Sequence, residues 1–142
     1  MSSFKDITAE FAASPQISLD DIALAAEQGF VAIICNRPDG EDNGQLSAAD
    51  IGVACSQHSL KFTHIPVSGG FSQGQIDDMS RALEDASGPV LAYCRSGTRS
   101  TNLWALSQAA NGEPADSLVE AGARGGYDLR GLLPTLRSLN AR

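Results

Sequence analysis

Two short runs of residues are apolar at every position, and they constrain the fold of this chain more than any other feature. They span residues 30–35 and 89–93. A strand that is apolar throughout is buried on both faces, as in a parallel sheet, whereas a strand with one solvated face alternates apolar and polar residues. Segments with helical periodicity separate the two runs. We therefore predict an α/β fold with a mostly parallel central sheet flanked by helices.

Capping serines and turn glycines divide the rest of the chain. Ser18 and Ser47 are expected to cap helices, because a serine hydroxyl accepts a hydrogen bond from a free N–H group of the first turn. Gly29 is expected to end the first helix. No repeat or long linker interrupts the pattern, so a single domain is predicted over residues 1–142. The predicted elements are an irregular or hairpin start through Ile17, helices over 19–28, 47–58, 73–86, 100–110, 114–123 and 129–139, and strands over 30–35, 61–67 and 89–93.

The composition argues against several classes of partner. The 142 residues carry a formal net charge of -7, which disfavours binding to nucleic acid or to an anionic membrane. No signal segment is visible and no apolar run approaches the roughly 20 residues that span a bilayer, so a cytoplasmic location is predicted. The chain has an odd number of cysteines, and their spacing is not that of a zinc site: they are Cys35, Cys55 and Cys94. We expect free thiols, no metal and no cofactor.

The segment after the second apolar run has the layout of a cysteine nucleophile in an anion-binding loop. Cys94 follows the predicted strand directly, and a helix is predicted to begin a few residues later. Free N–H groups and the positive end of the helix dipole stabilise a thiolate or an oxyanion there. The alternative for Cys94 is a small buried hydrophobe, which is what most free cysteines are. We predict Cys94 as the nucleophile and Arg99 as the catalytic arginine that holds the substrate anion. The other predicted anion-binding residues of the loop are Arg95, Ser96, Gly97, Thr98 and Ser100.

A second loop is expected to reach the same place, because the carboxyl ends of parallel strands meet at one edge of a sheet. Arg37 either pairs with a nearby carboxylate as scaffold or binds the substrate anion. Asp39 and Glu41 are candidate general acids, and their alternatives are turn formation and a solvated side chain. Cys35 becomes a candidate resolving thiol if its strand neighbours the strand that ends at Tyr93, directly before Cys94.

Several segments together resemble the small bacterial phosphatase-like domain that is also fused in beta-lactamase hydrolase-like proteins. They are residues 14–18, 29–30, 36–41, 64–67 and 88–94, and the similarity covers nearly the whole chain. The resemblance implies a cysteine-phosphatase-like α/β domain of the dual-specificity phosphatase type. The loop Cys-Arg-Ser-Gly-Thr-Arg of residues 94–99 also resembles the active-site loop of rhodanese-type sulfurtransferases, in which a cysteine carries a persulfide.

Three departures from the phosphatase pattern favour sulfur chemistry. Four residues separate Cys94 from Arg99, whereas the phosphatase loop has five, so the ring of N–H groups is smaller. Residues 68–72 contain no aspartate that could protonate a leaving oxygen. Tyr93 stands where the phosphatase pattern has histidine. A single terminal sulfur needs less room than a phosphoryl group, and a good leaving group needs no acid.

The leading prediction is therefore a rhodanese-like sulfurtransferase with a Cys94 persulfide, a small anionic sulfur donor and a small thiol acceptor. The alternative is a cysteine-based phosphatase that acts on a phosphorylated substrate through a phosphocysteine. A further alternative is a non-catalytic module that binds an anion or a persulfide. Both reactions begin with attack by the Cys94 thiolate, so the nucleophile alone does not separate them.

Overall fold

The computed structural model describes residues 3–141, and within them five strands form one sheet. The strands are β1 (Lys5–Thr8), β2 (Phe11–Ser14), β3 (Ala32–Cys35), β4 (Lys61–His64) and β5 (Val90–Tyr93). The helices are α1 (Leu19–Glu27), α2 (Ala48–Gln57), α3 (Gln73–Asp85), α4 (Thr98–Ala110), α5 (Ala115–Arg124) and α6 (Leu133–Asn140), and a short 3-10 helix over Arg130–Leu132 precedes α6.

The sheet is mostly parallel, and β5 lies at its centre. The strand order is β1-β2-β5-β3-β4, with β1 antiparallel to β2 and every other neighbouring pair parallel. The predicted α/β fold with a mostly parallel sheet is therefore confirmed. Since β5 has a parallel neighbour on each side, the residues that follow it emerge between the ends of β2 and β3.

Helices cover both faces of the sheet, which is why the central strands are apolar at every position. Ile33 and Leu91 pack with α1 and α2 in one core, whereas Ile34 and Ala92 pack with α3 to α6 in the other. Successive side chains of a strand point to opposite faces, so a strand in a sheet covered on both faces needs an apolar residue at each step.

Both predicted serine caps are present. The Ser18 hydroxyl accepts the Asp21 N–H at 3.2 Å, and the Ser47 hydroxyl accepts the Asp50 N–H at 3.1 Å. These bonds satisfy N–H groups that the first turn of a helix leaves unpaired. The caps fix where α1 and α2 begin, and the sequence located both correctly.

Several predicted boundaries differ from the structure by one or more residues, and three of them have a cause that the structure shows. The strand predicted over 61–67 ends at His64, because its partner β3 ends at Cys35, the residue that pairs with His64. The helix predicted from residue 100 begins at Thr98, directly after Gly97 at φ 95°. The helix predicted over 129–139 is broken, since Pro134 belongs to the first turn of α6.

Two sequence expectations concern the chain as a whole. The predicted domain of residues 1–142 includes Met1, Ser2 and Arg142, which lie outside the described residues. Within residues 3–141, no helix combines the length and hydrophobicity needed to cross a membrane.

Candidate active site

The ends of the parallel strands meet at one edge of the sheet, and Cys94 lies in the middle of it. Cys94 follows β5 directly and is fully buried, with its N–H bonded to the Ser14 carbonyl of β2 at 3.3 Å. On the other side, the Asn36 N–H just after β3 donates to the Tyr93 carbonyl at 2.8 Å. Two neighbouring strand ends therefore hold the backbone around Cys94.

The peptide carbonyls of the loop after Cys94 are turned outward. The carbonyls of Arg95, Ser96 and Gly97 all accept hydrogen bonds from groups outside the loop. The respective donors are the Gln16 N–H at 3.3 Å, the Tyr127 hydroxyl at 3.0 Å, and the N–H and hydroxyl of Thr101 at 3.0 and 2.8 Å. Because the N–H and the C=O of one trans peptide point in opposite directions, the Ser96 and Gly97 N–H groups face inward, whereas the Thr98 N–H donates to the Ser96 hydroxyl at 3.3 Å.

One N–H group of the loop donates to the sulfur, and others have no protein acceptor. The Gly97 N–H donates to the Cys94 Sγ at 3.1 Å, and Gly97 occupies the N-cap place of α4. In the part of the chain that the structure describes, the N–H groups of Arg95, Ser96 and Arg99 donate to no protein acceptor. Free N–H groups and the positive end of a helix dipole form an anion-binding site.

Arg99 lies in the first turn of α4, and a second loop holds its guanidinium. Both Glu41 carboxylate oxygens accept from it at 2.8 Å, and the Val67 carbonyl accepts at 2.8 Å. These bonds use three of the five N–H donors of an arginine. The guanidinium also interacts with Cys94, so its charge lies beside the sulfur. The hydrogen bonds to Glu41 raise the pKa of Arg99 above its usual value, and the side chain stays charged.

Glu41 is an ionised anchor between two arginines, which corrects its prediction as a general acid. Its Oε1 also accepts from the Arg37 Nε at 2.9 Å. The hydrogen bonds from Arg99, followed by those from Arg37, lower the pKa of Glu41 to about 2. A carboxyl group with that pKa has no proton to donate near neutral pH. Glu41 instead fixes the position of the Arg99 guanidinium.

Glu41→Gln is expected to lower the free energy of unfolding near neutral pH, and this loss should become smaller in acid. In the unfolded chain Glu41 has its ordinary pKa of 4.5, whereas in the folded protein its pKa is lowered to about 2. The folded state therefore binds fewer protons, and stability falls as the pH drops from about 4.5 to about 2. We expect the wild type to exceed Glu41→Gln by about 2 to 3 kcal/mol in unfolding free energy at pH 7.

The measurement is urea unfolding at pH 7 and pH 3, followed by fluorescence of the single, buried Trp104. The difference between the wild type and Glu41→Gln should shrink at pH 3. Glu120→Gln, which replaces an exposed glutamate of α5, is the matched control and should unfold like the wild type at both pH values. A difference that stays constant between the two pH values would contradict an ionised Glu41.

Of the two roles predicted for Arg37, the structure supports pairing with a nearby carboxylate as part of the scaffold. It is 3% exposed, and each nitrogen of its guanidinium has a protein acceptor. The acceptors are Glu41 at 2.9 Å, Gln16 at 2.9 Å and Asp42 at 2.7 Å. His64 holds the Arg37 carbonyl at 3.0 Å. The predicted contact between Arg37 and the substrate anion is therefore corrected, because the guanidinium is buried and each of its nitrogens already donates to a protein acceptor.

Asp39 also anchors the loop after β3. Its Oδ1 accepts the Ala48 N–H at 2.8 Å, which ties the loop after β3 to the start of α2. This bond fits the turn-forming alternative of the two predicted roles, and the role of Asp39 as a general acid stays a prediction. The segment 68–72 contains no carboxylate, and Asp77 and Asp78 lie within α3.

The remaining predicted anion-binding residues divide into exposed and buried groups. Ser96 and Thr98 are exposed and bond to each other through their hydroxyls at 3.0 Å. Arg95 is exposed at the rim, with its Nε 3.7 Å from the Asp42 carboxylate. Ser100 is fully buried, and its Oγ has no hydrogen-bond partner among the described residues. The binding roles of these four residues stay predictions.

The other two cysteines lie in the core beneath α1 and α2. All three cysteines are free and buried. Cys35 pairs in register with Tyr93, and both side chains belong to the core beneath α1 and α2. Cys94 lies beyond the end of β5, and a resolving role for Cys35 stays a prediction. Burial raises the pKa of Cys35, and it raises the pKa of Cys55 to about 11.

Sequence reasoning missed three residues that shape the site. Gln16 bonds to both the Arg95 carbonyl and Arg37, and Asp42 pairs with Arg37. Tyr127 reaches the loop from a distant segment and donates to the Ser96 carbonyl. Asp42 directly follows Glu41, which the sequence already places at this sheet edge, and that proximity was the available signal. Nothing in the sequence around Tyr127 points to Cys94.

Within residues 3–141, neither a metal site nor the cavity described below includes a residue of this loop. Within residues 3–141, no group of three or more His, Cys, Asp or Glu side chains is arranged to hold a metal ion. A cavity of about 530 Å³ is lined by Phe11 and Val90, the first residues of β2 and β5, together with Trp104. It lies at the end of the strands opposite Cys94 and contains no residue of the loop.

Comparison with known proteins connects this geometry to phosphatases. The profile of the family described as "Beta-lactamase hydrolase-like protein, phosphatase-like domain" matches residues 3–111. The beta-lactamase hydrolase-like protein of Xylella fastidiosa (strain Temecula1) is 35% identical over 126 residues, which are 87% of this chain and 29% of that protein. The relative from Agrobacterium fabrum is 35% identical over 83% of this chain and 27% of its own length. The chain thus spans less than a third of these relatives.

Solved structures share the fold over nearly the whole chain. A candidate phosphatase of Neisseria meningitidis Z2491 has a TM-score of 0.84 and 30% identity, covering 98% of this chain and 99% of its own. The active form of Tk-PTP has a TM-score of 0.74 and 20% identity, covering 99% and 97%. P. aeruginosa TpbA in complex with phosphotyrosine has a TM-score of 0.64 and 15% identity, covering 99% and 91%. The fold is that of protein tyrosine and dual-specificity phosphatases.

Proposed function

We propose that this chain, which belongs to the family of phosphatase-like domains of beta-lactamase hydrolase-like proteins, is a cysteine-dependent phosphatase that hydrolyses phosphate monoesters. One observation carries the proposal: the Cys94 sulfur accepts the Gly97 N–H at 3.1 Å inside a loop of inward N–H groups, beside the charge of Arg99. Phosphatases with the same fold, one of them bound to phosphotyrosine, support a phosphorylated substrate. They favour the phosphatase alternative over the sulfurtransferase prediction.

In the first step the Cys94 thiolate attacks the phosphorus of the substrate. A sulfur–phosphorus bond forms, and the bond from phosphorus to the leaving oxygen breaks, with its electron pair going to that oxygen. The inward N–H groups of the loop and the Arg99 guanidinium donate to the three phosphoryl oxygens, which carry the negative charge of the transition state. Because Glu41 holds the far side of Arg99, its remaining donors are oriented before the substrate arrives.

In the second step water attacks the phosphocysteine. The sulfur–phosphorus bond breaks, its electron pair returns to Cys94, and inorganic phosphate leaves with the water oxygen and one of its protons. The other proton passes to solvent. We assign to Ser100 the hydrogen bond that stabilises the returning thiolate, since its buried hydroxyl is one residue from Arg99 and has no partner within residues 3–141.

The leaving oxygen receives no proton from a carboxylic acid of this chain in the proposed reaction. Residues 68–72 contain none, and both Asp39 and Glu41 are engaged elsewhere. General acid catalysis contributes typically about 10²- to 10⁴-fold, and it matters most when the leaving group is strongly basic. Aryl phosphates are therefore the proposed substrate class, because a phenolate is a far better leaving group than an alkoxide.

Sulfur transfer is the second candidate, and the observation that favours it is the length of the loop. Four residues separate Cys94 from Arg99, which suits a single terminal sulfur. With thiosulfate as donor, the Cys94 thiolate would attack the outer sulfur, a sulfur–sulfur bond would form, and sulfite would leave. A thiol acceptor would then remove the outer sulfur and restore the Cys94 thiolate.

The test compares three reactions of the wild-type chain. An aryl phosphate, an alkyl phosphate, and thiosulfate with a small thiol are each supplied, and phosphate or sulfite release is measured. Rapid quenching, intact mass and peptide mapping locate any covalent intermediate. We expect phosphate release from the aryl phosphate, at least about 100-fold slower release from the alkyl phosphate, and a phosphoryl group on Cys94.

Other results would overturn the proposal in distinct ways. Sulfite release with a persulfide on Cys94, and no phosphate release, would establish the second candidate in its place. Equal rates for the aryl and alkyl phosphates would contradict a reaction without a general acid. Absence of turnover with all three substrates, together with binding of inorganic phosphate, would leave an anion-binding module.

A further inference from the structure

We propose that Tyr127 is a positioning residue that sets the reactivity of Cys94 through the peptide group between Ser96 and Gly97. The Gly97 N–H of that peptide donates to the Cys94 Sγ at 3.1 Å. The carbonyl of the same peptide, which belongs to Ser96, accepts the Tyr127 hydroxyl at 3.0 Å. One rigid planar group therefore connects the tyrosine to the sulfur.

The tyrosine ring lies directly over the turn of the loop. A Cβ at Gly97 would meet the Tyr127 hydroxyl and lie 2.8 Å from its Cζ. The hydroxyl thus approaches the backbone at a place where only glycine leaves room. This close approach orients the carbonyl outward, and a planar peptide then directs its N–H toward the sulfur.

The segment that carries Tyr127 is fixed to the fold on both sides. The Tyr127 N–H donates to the Gly122 carbonyl of α5 at 2.9 Å. Leu129, two residues later, is 1% exposed and lies so close to Gly122 that a Cβ there would be 2.6 Å from its Cδ1. A rigidly held segment can hold the hydroxyl in place. Tyr127 also lies beyond residues 3–111, the part that the family profile matches.

Loss of the Tyr127 hydroxyl would destabilise the Cys94 thiolate in two ways. A hydrogen bond to a peptide carbonyl polarises the amide and strengthens its N–H as a donor. Without that bond only the hydrogen bond of its N–H to the sulfur restrains the peptide, and a carbonyl oxygen that turned toward the sulfur would repel a thiolate. Burial, followed by the charge of Cys94, raises the pKa of Tyr127, so its hydroxyl keeps the proton that it donates.

The test is the pH dependence of Cys94 alkylation by iodoacetamide in the full chain, read by mass spectrometry of the Cys94 peptide. In Tyr127→Phe we expect the midpoint of the pH–rate profile to move upward by about half a pH unit, with the urea midpoint little changed. Tyr93→Phe is the matched control. It removes the other tyrosine hydroxyl of the chain, which faces Cys35 in the core and does not reach the loop.

Each outcome decides the inference. A midpoint that moves in Tyr127→Phe and not in Tyr93→Phe supports it. A midpoint that stays in place in Tyr127→Phe, or one that moves equally in both variants, overturns it. The inference rests on the proposed function only in taking the Cys94 thiolate as the nucleophile. Alkylation requires no phosphate turnover, so an inactive wild type with a shifted midpoint would refute the phosphatase and leave the role of Tyr127 standing.

Discussion

Cys94→Ser is expected to abolish turnover of aryl phosphates while the fold and the anion-binding loop persist. A serine hydroxyl is a far weaker nucleophile than a thiolate and forms no phosphocysteine, so kcat should fall by at least about 10⁴-fold. The substitution changes one buried atom, and the unfolding free energy should change by about 1 kcal/mol. Binding of inorganic phosphate should stay within about threefold of the wild type, because the N–H groups and Arg99 provide it.

The measurements are steady-state release of phosphate, urea unfolding and calorimetric binding of inorganic phosphate. Cys55→Ala is the matched control, because Cys55 is fully buried in α2 and its pKa is raised to about 11 by burial. It should keep the activity of the wild type despite a loss of stability. Activity retained in Cys94→Ser, or lost in Cys55→Ala when the protein is folded, would place the chemistry elsewhere than at Cys94.

Gly97→Ala is expected to damage stability and activity together. Gly97 has φ 95°, a conformation that costs an alanine about 1 to 2 kcal/mol, and the new methyl would collide with Tyr127. The tyrosine would have to leave, and its hydrogen bond to the Ser96 carbonyl would be lost. We expect a loss of about 2 to 4 kcal/mol in unfolding free energy and at least about 100-fold in kcat/KM for an aryl phosphate.

Two further variants separate backbone strain from the collision. Gly112→Ala has the same strain, with φ 99°, and no atom within 4 Å of the added Cβ. It should lose about 1 to 2 kcal/mol in unfolding free energy and keep its activity. Gly97→Ala combined with Tyr127→Ala removes the collision and should be more stable than the sum of its single variants predicts. Additive losses in that double variant would contradict the steric account.

The sequence predicted the sheet and the position of Cys94 because both depend on local patterns. Apolar residues at every step of 30–35 and 89–93 require burial on both faces, whichever strands are neighbours. Cys94 between such a strand and the start of a helix is a local feature of the same kind. The serine caps of α1 and α2 depend only on residues within one turn, and both were located correctly.

The roles of the acidic residues did not follow from local patterns. Glu41 lies 58 positions from Arg99 along the chain, and only the arrangement of β3 beside β5 brings the two side chains together. Once they meet, Glu41 is ionised and unable to act as an acid. The same arrangement buries Arg37 among Gln16, Glu41 and Asp42. Glu41, a candidate for acid, and Arg37, a candidate for substrate binding, became scaffold for this reason, whereas Asp39 bonds to Ala48 only nine positions away.

By itself, then, the sequence determined a sheet buried on both faces and a cysteine at the start of a helix, since periodicity and capping act over a few residues. The tertiary structure alone decided which charged groups surround that cysteine and that Tyr127 holds the peptide next to it. Strand order and the path of the chain after α5 set these contacts. Interactions between groups far apart in sequence depend on distance in space, which no local pattern encodes.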